Sequence, residues 1–124
     1  MVYYYRRKTH SNLHKMKLVN RGFIKITPTE TFIAWAKTVS EETPFFDNTP
    51  EPTIYLIEDD FWEDEKILEK CFKKIVKQEF GAIDEDKENQ PQVTNLELFN
   101  IYFQSELGTF VYDLLSESLQ SEKV

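Results

Sequence analysis

Thr53 to Phe80 reads TIYLIEDDFWEDEKILEKCFKKIVKQEF, and this stretch decides the fold. Ile54-Tyr55-Leu56-Ile57 is a short apolar run with Pro52 before it and acids after it. Such a run, bounded by turn signals, reads as a buried strand. The chain then passes through Glu58-Asp59-Asp60 into the longest amphipathic helix. Ile67, Leu68, Cys71, Phe72, Ile75, Val76 and Phe80 recur at helical spacing and form one wide apolar face. Lys66, Lys70, Lys73, Lys74 and Lys77 fall on the other faces. Asp60 and Glu63 are spaced as a cap and its box, and acids here complement the helix dipole. Gly81 is expected to stop the helix.

Working backwards, Phe23 and Lys25 alternate with Ile24 and Ile26, which predicts a strand within residues 18–27. Thr27-Pro28-Thr29-Glu30 reads as a capping box with proline at the first helical position. The helix it opens carries Phe32, Trp35, Ala36 and Val39 on one stripe. Residues 41–53 hold three of the five prolines and are read as a loop. Phe45 and Phe46 within it either fix the loop to the domain or form an exposed contact.

Working forwards, residues 83–93 are a polar loop. Thr94-Asn95-Leu96-Glu97 opens another helix, with Leu96, Phe99, Tyr102, Phe103 and Leu107 on one side. Gly108 breaks it, and Thr109 to Leu115 is expected to be the third strand. The expected order is β-α-β-α-α-β, a two-layer α+β fold. Its three-stranded sheet is mixed, because the first two strands should be parallel across a helical crossover. The three helices should lie mainly on one face and leave the other open. Residues 18–116 form the single expected domain. Residues 1–17 are read as a flexible basic leader and 117–124 as a frayed tail.

The net charge of −7 is unevenly spread. Residues 1–15 carry Arg6, Arg7, Lys8 and Lys15 and no acid. Removing that +4 from the total leaves −11 for residues 16–124. A body this acidic repels phosphates, which speaks against nucleic acid and in favour of basic protein partners. The leader itself has two readings, a disordered terminus or a basic arm for an anionic surface. No apolar run reaches the ~20 residues of a membrane span, and no signal-peptide pattern is present. A cytoplasmic, single-domain protein is the expectation. The lone Cys71 cannot form an internal disulfide.

Catalytic signatures are sparse. The acids Asp59, Asp60 and Glu63 are the candidates for a metal, since hard cations want converging oxygens. Helix capping explains the same residues. Cys71 has no histidine to activate it, because His10 and His14 both lie in the leader. One cysteine and two leader histidines do not make a zinc site. The three glycines are too dispersed to cradle a phosphate. No cofactor is expected. Trp62, at the helix start beside acids, and Tyr112, in the last strand, join Phe45 and Phe46 as candidate contact residues.

Phe32-Ile33-Ala34-Trp35, Thr53-Ile54-Tyr55-Leu56-Ile57, Phe99 to Phe103 and Val111-Tyr112-Asp113-Leu114 together resemble a group of small acidic bacterial proteins. That group combines an F-x-x-W helix, a T-x-Y-L-[IL] strand and a closing V-x-D-L strand. The resemblance covers roughly residues 21–115 and supplies no catalytic residues. It implies a bacterial, single-domain, cytoplasmic protein. The function expected is a non-enzymatic protein–protein interaction module, binding a partner or a second copy of itself. The alternative is a carboxylate-based, metal-dependent hydrolase built on the acidic turn 58–65.

Overall fold

The structure, a computed structural model, describes residues 16–40 and 50–124. The elements run β1 (Lys17–Val19), β2 (Gly22–Pro28), α1 (Glu30–Val39), β3 (Thr53–Ile57), α2 (Asp64–Ile83), a 3-10 turn (Lys87–Asn89), α3 (Leu96–Tyr102), β4 (Phe103–Gly108) and β5 (Val111–Asp113). The described residues form an α+β fold with three α-helices, a three-stranded sheet and a separate two-stranded ribbon.

The sheet is antiparallel throughout, in the order β3-β2-β4. The expected parallel pairing is therefore corrected. Gly22 lies opposite Ile57 and Ile26 opposite Thr53. The chain enters α1 at the Pro28 end of β2, and β3 starts at that same end. Helix and connection together thus make an excursion that returns to its origin. Ten helical residues cover about 15 Å, and the thirteen residues from 40 to 52 have ample reach to come back.

The third strand is the second correction. The expected helix over 96–107 ends at Tyr102, and β4 follows it directly. β4 pairs with β2 from Phe23↔Gly108 to Pro28↔Phe103. The expected closing strand is shorter than anticipated: Val111–Asp113 pairs with β1 alone, outside the main sheet. The ribbon's register is offset by one residue from that of the sheet. Between Val19↔Val111 and Phe23↔Gly108 there are three residues on one chain and two on the other. That count is the signature of a β-bulge.

Four helix ends also differ from expectation. Pro28 stays in β2, where its missing N–H is tolerated at a strand end. Thr29 rather than Thr27 is the N-cap, its side chain accepting from the Phe32 N–H. Asn95 caps α3 by accepting from Leu98 N–H at 2.8 Å. Helix α2 begins after Glu63 without a side-chain cap and runs through Gly81 to Ile83.

The core sits between the helices and one face of the sheet. Ile24 and Ile26 are completely buried there, with Phe32, Ala36, Phe72, Ile75, Phe80, Phe99 and Phe103. Every buried side chain among the described residues is apolar. Phe80 is the hub. Its ring contacts Trp35 edge-on at 4.8 Å, Phe32 at 5.3 Å, Tyr102 at 5.4 Å and Phe103 at 5.5 Å between centroids. Aromatic pairs in such geometries add roughly 0.5–1.5 kcal/mol each beyond the area they bury.

The opposite face carries Phe23, Lys25, Ile54, Leu56 and Glu106. Lys25 and Glu106, paired across β2 and β4, approach at 4.0 Å. The Phe23 ring lies over Gly108, where an added Cβ would come within 2.4 Å of it. No helix among the described residues is long and apolar enough to cross a membrane.

Two glycines give opposite expectations. A Cβ at Gly22 would lie 2.8 Å from the Gly108 carbonyl oxygen and 2.9 Å from that of Glu58, so backbone must move. A Cβ at Gly81 meets nothing within 4 Å. Gly81→Ala should stabilise the protein by about 0.5–1 kcal/mol, the gain of alanine over glycine inside a helix. Gly22→Ala should destabilise it. Urea unfolding of the two variants beside wild type gives both signs in one experiment.

Candidate functional site

Strand β3 and helix α2 carry the two groups with displaced pKa values among the described residues, Tyr55 and Lys70. Alternation along β3 turns Tyr55 and Ile57 towards the helices, while Ile54 and Leu56 remain 54% and 50% exposed on the other face. Tyr55 reaches α2, and its hydroxyl donates to Glu79 Oε2 at 2.5 Å. Burial, first, and then the bond to the Glu79 carboxylate push the Tyr55 hydroxyl well above its ordinary pKa. A second tie lies just beyond the strand. Lys70 Nζ donates to Glu58 Oε1 at 3.0 Å, and that bond holds the ammonium above its usual pKa. Helix α2 is thus fastened at two points, to Tyr55 within β3 and to Glu58 just after it.

The acidic turn serves these contacts. Glu58 engages Lys70, and Glu63 lies 3.6 Å from Lys66 one turn on. Asp60 is exposed. The described residues contain no group of three or more His, Cys, Asp or Glu side chains that could hold a metal ion. Asp59, Asp60 and Glu63 are near one another in sequence but are not gathered as a metal would need. Cys71 is a half-buried free thiol on the core side of α2.

Trp62 is 76% exposed. It lines a shallow hollow of about 330 Å³ with Phe61, Glu58, Ile67 and Lys70. Tyr112 is half-buried in β5, opposite Leu18, its ring stacked near that of Phe110 with centroids 6.4 Å apart. Trp62 and Tyr112 therefore lie on different elements, the one ahead of α2 and the other on the ribbon. Phe45 and Phe46 lie outside the described residues.

Two features escaped the reading of the sequence. One is a groove of about 460 Å³ at the start of β3, lined by Pro28, Pro52, Ile54, Glu51, Glu79 and Ala82, among others. It is formed by segments far apart in the chain, and no local motif marks it. The other is the arrangement of lysines on α2. At 100° per residue, Lys66, Lys70, Lys73, Lys74 and Lys77 fall within an arc of about 100°. The acidic body therefore carries one basic stripe. That signal was present in the spacing.

No protein-family model, no curated protein and no solved structure matches this chain.

Two measurements check this account. Thermal melts with and without Mg²⁺, Ca²⁺ or Mn²⁺ should superimpose, and a metal-induced rise that Asp60→Asn removes would contradict it. The second concerns alkaline pH. Tyr55 has a raised pKa in the folded state, so its contribution is intact below the ordinary value of 10.0 and falls as pH rises beyond it. Wild type should lose stability above pH 10.0, and Tyr55→Phe should flatten that loss. Denaturant midpoints across the alkaline range read the difference.

Proposed function

We propose that the protein is a non-enzymatic interaction module that binds another protein through the open face of its sheet. The observation that carries this reading is the half-exposure of Ile54 and Leu56 on one strand, beside Phe23 on the next. Phe23 lies directly opposite Leu56 in the ladder. Adjacent large apolar side chains on a surface otherwise rich in charge are a common mark of protein contact sites. The acidity of residues 16–124 adds a preference for basic partners, since opposite charge speeds encounter and excludes like-charged competitors.

The all-apolar core supports the same reading. A catalytic site usually needs ionisable groups in a sheltered place, with their pKa values displaced towards the task. Among the described residues the displaced groups are Tyr55 and Lys70, and each is taken up by a carboxylate in a contact between α2 and the segment 55–58.

The expected outcome is a saturable association that weakens as salt rises. Leu56→Ser should weaken it by about 1–2 kcal/mol, the scale of a truncated contact residue. Light scattering and retention of partners from lysate, run on wild type and Leu56→Ser, provide the check. A monomer mass with nothing retained by wild type would end this reading.

A further inference from the structure

We propose that the groove at the start of β3 receives a lysine or arginine side chain from an extended segment of a partner protein, laid along the free edge of β3. This rests on the interaction reading above and specifies its partner and mode. Three observations meet at this place.

The first is the strand itself. Among the described residues β3 has one neighbour, β2, and stands at the edge of the sheet. An edge strand presents a row of backbone N–H and C=O groups that template another strand. Proteins guard such edges with lysine, proline or a bulge. Thr53–Ile57 carries no charge and no proline, and its register with β2 is continuous. Addition of a peptide strand to such an edge is a recurrent mode of recognition.

The second is the shape and chemistry of the groove. Its walls are apolar, from Pro28, Pro52, Ile54 and Ala82. Two carboxylates, Glu51 and Glu79, stand at it, and no lysine or arginine lines it among the described residues. The Tyr55 hydroxyl bond holds the Glu79 carboxylate in place. Apolar walls ending in carboxylates fit a long aliphatic stem with a cationic tip, which is how lysine and arginine bury their methylenes and keep their charge solvated.

The third is the surrounding charge. A second copy of this chain would bring Glu51 and the acids 58–60 of one β3 near those of the other. An antiparallel β3–β3 pair centred on Tyr55 sets Glu51 opposite Asp59. Like charges directly opposed are unfavourable. A segment bearing cations meets Glu51 and Glu79 at the groove instead. Alternate side chains of an added strand point to opposite faces. A sequence alternating apolar and basic residues would place its cations at the groove and its apolar residues beside Ile54 and Leu56.

The test uses the full chain and a short dye-labelled peptide alternating valine and lysine, followed by fluorescence anisotropy. Saturable binding is expected, with the double variant E51Q/E79Q weakening it about tenfold or more, as loss of charge-assisted bonds implies. Glutamine keeps an acceptor for Tyr55, and circular dichroism confirms that the variant is folded. The same peptide N-methylated at alternate backbone positions should not bind. Equal binding by a valine–glutamate peptide, or binding indifferent to E51Q/E79Q or to N-methylation, would overturn the proposal. So would a dimer that dissociates as peptide binds, which makes a second copy the occupant. A tenfold gain in F45S/F46S would make the occupant a segment of the chain itself, and would also overturn it. Loss of lysate partners in Leu56→Ser, with no peptide binding by wild type, would leave the interaction reading standing and the groove proposal failed.

Discussion

The aromatic contacts of Phe80 hold the two layers of this protein together. Phe80 comes from near the end of α2, Phe32 and Trp35 from α1, Tyr102 from the end of α3 and Phe103 from the start of β4. One buried ring thus touches all three helices and an outer strand of the sheet. Phe103 passes the contact on to Phe99 at 5.1 Å, and Phe99 to Phe72 at 6.0 Å. The chain of rings returns to α2 two turns before it started. Close packing of this kind has little slack, because interiors are as dense as organic crystals. The position of each helix is therefore set by the others.

Polar contacts fix what the rings leave free. Thr29 donates its hydroxyl to Ile101 carbonyl at 2.6 Å and its N–H to Tyr102 carbonyl at 3.0 Å. That seam joins the start of α1 to the end of α3, where β4 must begin. Asp84 organises the turn after α2, accepting from the Asp86 N–H and from the Asn89 side chain, both at 2.9 Å. The Trp35 indole N–H then donates to the Asn89 carbonyl at 2.8 Å. Trp35 therefore has its ring against Phe80 and its polar edge on the loop, the apolar body and polar tip of the indole each finding a partner. Sites where a helix ends are, in this molecule, the sites where distant segments are tied.

The helices and two strands were legible in the sequence because their periods are unambiguous. Ile67 to Phe80 fits only a helix, and Phe23 to Ile26 alternates as a half-buried strand must. The stretch 103–107 was misread for a definite reason. Residues four apart lie on one face of a helix and also on one face of a strand. Phe103 and Leu107 satisfy both, and Tyr102 extends the helical pattern up to the boundary. What decides the matter is β2: Ile24 and Ile26 are fully buried in a central strand, which requires a partner on each side. That demand is tertiary and invisible to local spacing. Gly81 illustrates the same limit. It was read as a stop, but the core contact of Phe80 and the partial burial of Ile83 carry the helix past it.

The site was less legible than the fold, and the cause lies in where polar groups sit. Since every buried side chain among the described residues is apolar, none of those positions had to combine burial with charge, and such positions are what motifs record. The acids 58–65 suggested a metal because of their density, yet density along a chain is not convergence in space. Glu58 turns to Lys70 and Glu63 lies beside Lys66. The groove at β3, by contrast, takes Pro28, Glu51 and Glu79 from three separate segments. Each is unremarkable in its own neighbourhood, and only the antiparallel return of β3 beside β2 brings them together. The strand direction that the sequence reading missed is thus the same fact that creates the recognition surface. A parallel β3 would have begun at the opposite end of β2, away from Pro28, and the groove would not exist.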